Sequence, residues 1–443
     1  MAQDLPKDLI PREPIHKLIE PVQRFLHVEA ASGVLLLICT AIALVLANSA
    51  ASDWYVALWK TKVGFGFGDF SMMYSLQHWI NDGLMAIFFF VVGLEVKREM
   101  VLGELRDPKR AALPVAAAVG GMVVPAGVYL LLQGGTEAAR GWGIPMATDI
   151  AFVVGCMAVL GPRVPHILRV MLLSLAIVDD IGAILVIAVG YTESLNITAL
   201  LLAFAGLGLV YTLGRLGVRS FGIYVILGVL VWFGFHESGV HATLAGVLMG
   251  LLTPARSYLG DNTVSQMLQR ADKTLHGGDW LNMHHRSDAV RRFTDSVREV
   301  ISPLEYLEGT LHPWTAFVIM PIFALANAGV PFTVADFGEP VAIAVMAGLV
   351  IGKPVGILLM SFLAVKLITK SLPEGLNWSA MVGGGFLSGI GFTMALFISG
   401  LALSGPALQT AKVGVLGASL LAAVVGMVVL VKVLPKPTGT RPD

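Results

Sequence analysis

The stretch LLSLAIVDDIGAILVIA, from Leu172 to Ala188, decides the fold class of this 443-residue chain. With its apolar flanks it forms a run near 166–190, long enough for a helix that crosses a membrane, which takes about 20 residues. Asp179 and Asp180 stand side by side in the middle of this run. An ionisable side chain at that depth costs about 2.5 to 3.5 kcal/mol, so the pair requires a structural or functional reason.

The composition extends this pattern to the whole chain. Hydrophobic residues make up 56% and charged residues 14%, against roughly 25% charged residues in soluble domains, which excludes an ordinary soluble enzyme. Lys and Arg balance Asp and Glu, so nothing indicates a nucleic-acid surface. We predict an all-α polytopic membrane protein, because lipid cannot satisfy open backbone groups. Its twelve predicted spans lie near 32–51, 78–100, 111–132, 141–161, 166–190, 195–215, 220–236, 239–254, 313–331, 339–364, 380–402 and 412–432.

The basic residues predict the orientation. Nearly all lie on the side of the N-terminus, which the positive-inside rule places in the cytoplasm together with the C-terminus. The outside connections hold only Lys60, Lys62, Arg140 and Lys412. One transmembrane domain, 32–432, is therefore expected between cytoplasmic tails 1–31 and 433–443.

Two connections are long. The outside segment 52–77 predicts either a small hairpin or an aromatic-rich interfacial loop. The cytoplasmic connection 255–312 is predicted to be a solvated loop with a short surface helix. Its adjacent His284 and His285 lack the spaced partners that a metal site usually has.

Two spans are unusually rich in glycine and helix-breaking residues: GWGIPMATDIAFVVG from Gly141 to Gly155, and GGGFLSGIGFTMALFISG from Gly383 to Gly400. They are the middle members of spans three to five and ten to twelve, and these two triplets run in opposite directions. That position favours inverted repeats with a site where two discontinuous helices cross. Close helix packing at glycine is the alternative.

Other charged residues fall within or near the ends of spans. At a crossing of broken helices, Asp149 would neutralise facing helix N-termini and Lys353 the C-termini, although Lys353 could instead pair with a carboxylate. Asp82 fits either the outer interface or a cation entrance. Glu95 and Glu99, one helical turn apart, fit an acidic inner mouth or a solvated helix end.

The adjacent aspartates predict exchange chemistry. Neighbouring helix positions point about 100° apart, so the two carboxylates need not share one role. Low dielectric and mutual repulsion favour neutral carboxyl groups, so either group could trade a proton for a cation. Carboxylates, carbonyls from the broken spans and the Thr148 hydroxyl suit a small hard cation. Structural pairing with the single Lys353 could explain only one of the two acids.

Several strings resemble the NhaA family of sodium/proton antiporters, in order over about residues 28–432. They are WINDGLMAIFFFVVGLEVKRE, ATDIAFVVG, LAIVDDIGAILVIA, ESGVHATLAGV, LHPWTAFVIMPIFALANAG, VIGKPVGI and SGIGFTMALFISGLA. NhaA antiporters are themselves a standard example of inverted repeats with discontinuous helices. The resemblance implies twelve helices in a bacterial inner membrane, often as a homodimer, with the fourth and eleventh helices interrupted and crossing.

The resemblance also implies residue roles. Asp180 matches the main cation-binding carboxylate, Asp179 its partner in proton exchange, and Thr148, Asp149 and Lys353 the supporting positions. The family's pH-response cluster at the cytoplasmic funnel matches Glu95, Glu99, His241, Glu308 and His312. Gly309 departs from the pattern, because the best-studied members carry histidine there.

We therefore expect export of Na⁺, with Li⁺ as a second substrate, against inward protons at two protons per ion, serving pH and sodium homeostasis and salt tolerance. No ATP, cofactor or enzymatic activity is expected. The alternatives are an antiporter for K⁺ or another monovalent cation, an intramembrane aspartyl protease and a passive cation channel.

Overall fold

A computed structural model describes residues 29–67, 70–192, 195–218, 221–255 and 302–435, and helices dominate this part of the chain. The first elements are α1 (Glu29–Ala47), α2 (Ser52–Lys60), β1 (Lys62–Phe67), β2 (Phe70–Ser75), α3 (Leu76–Val101) and α4 (Pro108–Gln133). The next are a 3-10 helix (Glu137–Met146), α5 (Ile150–Leu160), α6 (His166–Gly190), α7 (Ile197–Arg215), α8 (Phe221–Ser238) and α9 (Thr243–Leu252). The last are α10 (Pro303–Asn327), α11 (Pro340–Thr369), α12 (Trp378–Ser388), α13 (Phe392–Ala402) and α14 (Gly405–Val433).

The helices confirm the all-α membrane fold. Within the described ranges, nine are long and apolar enough to cross a membrane if the 3-10 helix and α5 count as one, or up to eleven if each of two bent pairs also forms one span. Those pairs are α1 with α2, bent by 113°, and α12 with α13, bent by 46°. The apolar α9 has only 10 residues. Each of the twelve predicted spans thus coincides with a helix or a broken pair, although α9 is short for a full crossing.

Two helices begin well before the predicted residue. α10 begins at Pro303 because Ser302 and Glu305 form a capping box, so the end of the predicted 255–312 connection is helical. α14 begins at Gly405, so Lys412 lies within this helix and not in the connection where it was predicted. Lys412 is 8% exposed, and its Nζ donates a 2.9 Å hydrogen bond to the carbonyl at the C-terminal end of α10. The remaining predicted tails and connection, with His284 and His285, lie outside the described residues.

Segment 52–77 forms the hairpin, one of its two predicted alternatives, and one helix that was not predicted. α2 precedes β1, and β1 pairs antiparallel with β2 in a register that sets Lys62 opposite Ser75. The indole Nε1 of Trp79, in α3, donates a 2.8 Å hydrogen bond to the Val63 carbonyl. This bond fixes the sheet to one end of the bundle, which we call the hairpin end.

The centre of the bundle is built on close helix contacts. α4 and α11 cross at Gly120 and Gly356, where a Cβ on either residue would overlap the other's backbone. Such contacts depend on the missing side chain. The crossing brings Lys353, one turn earlier in α11, into the interior. α13 is buried along nearly its whole length, whereas α7 and α8 expose many apolar side chains and lie at the edge.

The two glycine-rich spans are interrupted, as predicted. The chain is extended between the 3-10 helix and α5, and Gly389, Ile390 and Gly391 separate α12 from α13. The interruptions touch, because the Asp149 N–H donates a 2.7 Å hydrogen bond to the Ile390 carbonyl. Helix ends from both spans therefore converge on one buried point.

A buried carboxylate and lysine site at the helix crossing

Asp149 caps two helices at the crossing. As the N-cap of α5, its Oδ1 accepts a 3.2 Å hydrogen bond from the Phe152 N–H. Its Oδ2 accepts a 3.0 Å bond from the Thr393 N–H and a second bond from the Thr393 hydroxyl, at the start of α13. A carboxylate at a helix N-terminus satisfies free N–H groups and complements the helix dipole. This one carboxylate thus lies at the N-termini of two helices, α5 and α13, and its role in charge compensation stays a prediction.

Lys353 makes both of the contacts that the sequence left as alternatives. Its Nζ lies 2.6 Å from Asp179 Oδ2, and both side chains are fully buried. The same Nζ donates to the carbonyl of Met146, the last residue of the 3-10 helix. One ammonium group thus pairs with a carboxylate and complements the negative end of a broken span.

Thr148 links the first interruption to α6. Its hydroxyl lies 2.7 Å from Asp179 Oδ2 and 3.0 Å from the Ser388 carbonyl at the end of α12. A hydroxyl carries one proton, so it donates to one of these acceptors at a time and keeps lone pairs for a cation. Asp179 Oδ2 is therefore held by Lys353 and Thr148, while its Oδ1 is buried without a hydrogen-bond partner.

Asp180 lacks the support that Asp179 has. It is 2% exposed, and its Oδ1 is buried with no hydrogen-bond partner among the described residues. An ionised carboxylate buried in this way is costly unless a proton or cation neutralises it. Asp179 and Asp180, which are adjacent in α6, therefore each have one carboxylate oxygen that is buried without a hydrogen-bond partner. Protons and small hard cations are the species that such oxygens bind.

Four of the five predicted pH-response residues meet at the end of the bundle opposite the hairpin. Glu95 Oε1 lies 4.0 Å from His312 Nε2, and Glu99 Oε1 lies 3.8 Å from Arg98. Arg98 also pairs directly with Glu308. We call Glu95, Glu99, Glu308 and His312, with Arg98 between them, the acidic cluster.

His241 does not belong to the acidic cluster, in contrast to the expectation from the resemblance. It lies in the turn before α9, where its Nδ1 is 2.7 Å from the Thr243 hydroxyl and its ring packs edge-on against Phe397. The far end of α9 is the end near the acidic cluster, because Lys97 donates a 2.6 Å hydrogen bond to the Leu251 carbonyl there. A ten-residue helix of about 15 Å therefore separates His241 from the cluster.

Asp82 lies near the hairpin end of α3, between two histidines. Its Oδ2 is 3.6 Å from His78 Nε2 and 3.8 Å from His236 Nδ1, and its side chain is 16% exposed. Among the described residues, its ion-pair partners are these two histidines, and neither Asp179 nor Asp180 is bonded to it. This position near the hairpin end is compatible with both alternatives from the sequence, the outer interface and a cation entrance, and the two histidines were not expected.

Gly309 lies in α10 between Glu308 and His312. A Cβ built on Gly309 would meet nothing within 4 Å. The departure from the family's histidine is therefore not imposed by packing.

Sequence reasoning missed several polar groups at the crossing. Thr393 holds Asp149, and the carbonyls of Ser388 and Met146 hold Thr148 and Lys353. A threonine two residues after the Gly-Ile-Gly break was the available signal for Thr393, because a new helix begins there with free N–H groups. Backbone carbonyls carry no sequence signal, so the roles of the Ser388 and Met146 carbonyls could not be predicted from the sequence.

The bundle, its crossing broken helices and its buried ion pair define a polytopic membrane protein of the ion-coupled transporter class. The chain belongs to the family described as Na+/H+ antiporter 1, whose model matches residues 23–430. A protein from Rhodopirellula baltica named Na(+)/H(+) antiporter NhaA is 57% identical over 429 residues, covering 97% of this chain and 98% of that protein. A protein of the same name from Rhizobium meliloti is 51% identical over 421 residues, with 95% and 96% covered.

Proposed function

We propose that this protein is a secondary antiporter that exchanges Na⁺ for protons at Asp179 and Asp180. The observation that carries the proposal is the pair of buried Oδ1 atoms, one on each aspartate, without hydrogen-bond partners. Burial without partners means that these carboxyl groups need either protons or a cation. The names of the relatives from Rhodopirellula baltica and Rhizobium meliloti support Na⁺ and H⁺ as the exchanged ions.

The surrounding groups suit Na⁺ or Li⁺. Carboxylate oxygens, the Thr148 hydroxyl and the Ser388 carbonyl are hard oxygen donors, which small hard cations prefer. In the proposed mechanism, Asp180 is the main ligand and Asp179 shares the ion or a proton. Asp149 and Lys353 keep fixed opposite charges at the broken helix ends, so the crossing stays intact whichever ion occupies the site.

The proposed exchange ratio is two protons for one Na⁺. If both aspartates are protonated before Na⁺ binds, each cycle moves one net charge, and an inside-negative membrane potential drives Na⁺ outward. One charge crossing 100 mV gains about 2.3 kcal/mol. That energy sustains about a fifty-fold Na⁺ gradient, since each tenfold step costs about 1.36 kcal/mol. Such a protein would serve sodium and pH homeostasis and salt tolerance.

We propose that the acidic cluster shapes the response to pH. It groups three glutamates, one histidine and Arg98 at one end of the bundle, and a change in their charge alters the local Na⁺ concentration. Direct competition between protons and Na⁺ at the aspartates gives a second, independent cause of inhibition by acid.

The geometry disfavours two rival functions. An aspartyl protease needs two carboxyl groups facing each other across a cleft, whereas Asp179 and Asp180 are consecutive in α6, and Asp179 pairs with Lys353. A passive channel would leave a buried lysine in the path of its cations. We therefore propose a transporter and not an enzyme. A preference for K⁺ remains an outcome of the test below.

For the location we propose a bacterial inner membrane with both termini in the cytoplasm, and a homodimer as the assembly. The hairpin end then faces outward and the acidic cluster faces inward. Labelling of single cysteines at exposed Asp53 and at Arg110 with an impermeant maleimide in intact cells tests the orientation. Crosslinking within the membrane tests the dimer.

Vesicles reconstituted with the purified protein test the exchange. An interior pH dye should report proton movement when Na⁺ or Li⁺ is added, and no movement with choline. Asp180→Asn should abolish this response, whereas Asp53→Asn, an exposed aspartate in α2, should retain it. Na⁺-driven proton movement in D180N with an unchanged apparent affinity for Na⁺ would overturn the assignment of Asp180. A response to K⁺ alone would show that K⁺, and not Na⁺ or Li⁺, is the transported cation.

A further inference from the structure

A second group of potential ligands lies at the hairpin end, apart from the two aspartates of α6. His78, Asp82 and His236 form what we call the histidine–aspartate cluster. Their ligand atoms, His78 Nε2, one Asp82 carboxylate oxygen and a His236 ring nitrogen, all lie within 4.8 Å of one another. In the part of the chain that the structure describes, this is the one group of three or more His, Cys, Asp or Glu residues that meets this distance.

The spacing of the cluster fits a tetrahedral metal ion. His78 Nε2 and His236 Nδ1 lie 3.6 Å and 3.8 Å from Asp82 Oδ2. Ligands at about 2.0 to 2.1 Å from a tetrahedral Zn²⁺ are separated by about 3.3 to 3.4 Å. Small side-chain rotations that move these atoms by a few tenths of an ångström would therefore place all three around one ion. A fourth position would remain for water.

The rings are held in orientations that suit metal binding. The other nitrogen of His236, Nε2, lies 3.0 Å from the Tyr74 hydroxyl, which leaves Nδ1 free as a donor to a metal. Tyr74 stacks on His78 with ring centres 4.4 Å apart, and Trp232 stacks on His236 at 5.6 Å. The Trp232 indole N–H also donates a 3.1 Å bond to the Asp82 carbonyl.

One ligand atom has no hydrogen-bond partner. His78 Nε2 is buried and makes no hydrogen bond, although it points toward Asp82. A buried ring nitrogen without a partner is unfavourable unless something binds it. The turn that carries Asp82 is π-helical, over Trp79–Leu84, and such turns are frequent at functional sites.

We propose that His78, Asp82 and His236 form a binding site for a divalent transition-metal ion, with Zn²⁺ as the best fit. Two imidazoles and one carboxylate form a ligand set that Zn²⁺ accepts and that alkali cations do not favour. The site is therefore chemically distinct from the oxygen site at Asp179 and Asp180. A bound ion would join α3 to α8 and, through Tyr74, to β2.

Calorimetry with Zn²⁺ tests this site on the full chain in detergent, after removal of any affinity tag. The starting protein carries His284→Ala and His285→Ala, because those adjacent histidines could bind Zn²⁺ on their own. We expect one Zn²⁺ per chain and a rise in the thermal unfolding temperature. Replacing His78 or His236 by Ala should weaken binding at least a hundredfold, and Tyr74→Phe should weaken it about tenfold, as loss of a supporting bond does.

His166→Ala is the matched control, because His166 is an exposed histidine at the start of α6. It should bind Zn²⁺ like the starting protein. The proposal would be overturned if the starting protein took up no Zn²⁺, or if H78A and H236A bound Zn²⁺ as tightly as the starting protein does. The cluster would then be only a histidine–carboxylate ion pair. Na⁺-driven proton movement is measured separately, so failure of the metal site does not bear on the proposed antiport.

Discussion

Lys353 Nζ lies 2.6 Å from Asp179 Oδ2 in a fully buried pair, and the same ammonium group binds the carbonyl that ends the 3-10 helix. Removing one partner of a buried pair leaves an uncompensated charge, which typically costs about 3 to 5 kcal/mol. Here the removal of Lys353 would leave two negative groups, a carboxylate and a helix end. The lysine is therefore expected to be a structural element of the crossing, whatever its part in transport.

Lys353→Ala should lower the thermal unfolding temperature in detergent by several degrees. Addition of Asp179→Asn to K353A should restore part of the loss, because the buried carboxylate is then neutral. Lys366→Ala, at an exposed position of the same helix, is the control and should leave the temperature unchanged. A double variant less stable than K353A would contradict the pairing as the source of the effect.

Asp149 provides a second stability test, because it caps both α5 and α13. A lost cap typically costs about 0.5 to 2 kcal/mol, so Asp149→Ala should destabilise by about twice that amount. Asp107→Ala is a matched control, since Asp107 caps only α4, through the Lys109 N–H. Asp149→Asn keeps the acceptor oxygen and should lose less than Ala. Chemical unfolding in mixed micelles measures the free energy of unfolding of each variant. Equal losses of this free energy in D149A and D107A would contradict the double cap.

The sequence predicted the architecture because the constraints that produce it are local. Apolar length predicts a membrane helix, and the glycine-rich breaks at Gly141–Gly155 and Gly383–Gly400 predict interruptions in two spans. The structure confirms both. The pairing of charges depends on which helices pack together, so sequence spacing left the partner of Lys353 open and gave no indication of the Thr393 contact with Asp149.

Errors in the sequence interpretation have the same origin. His241 was grouped with the acidic cluster through the family resemblance, but its position depends on α9 being short and running away from the hairpin end. Lys412 was predicted to lie in an outside connection, whereas it lies inside α14 and binds the carbonyl end of another helix. Both positions are set by tertiary contacts that sequence patterns do not record.

Direct competition at the aspartates predicts a strong pH dependence of Na⁺ binding. Lower pH favours the protonated carboxyl groups, so Na⁺ binding should weaken as pH falls and strengthen as it rises. If one Na⁺ displaces two protons, the affinity changes by up to about a hundredfold per pH unit. Calorimetry in two buffers with different ionisation enthalpies counts the protons released. Na⁺ binding without proton release would contradict the exchange mechanism.

The acidic cluster predicts the effect of restoring the family's histidine at Gly309. The position has open space and lies one helical turn before His312, so Gly309→His should fold without loss of stability. Histidine gains a positive charge below about pH 6.5, and that charge next to the cluster would repel incoming Na⁺. The pH of half-maximal Na⁺-driven proton movement in vesicles should therefore shift upward.

Gly338→His is the matched control for this variant. Gly338 also has nothing within 4 Å of a built Cβ, but it lies at the end of the 3-10 helix Val334–Gly338, before α11 and away from the cluster. It should leave the pH profile unchanged at equal expression. Superimposable profiles of G309H and the unmodified protein would remove the acidic cluster from the pH response. The electrostatic effect of an exposed charge fades beyond about 10 Å, so a histidine at Gly338 should not act on the acidic cluster. If G338H shifted the profile as much as G309H, the shift would not come from a local effect on the cluster.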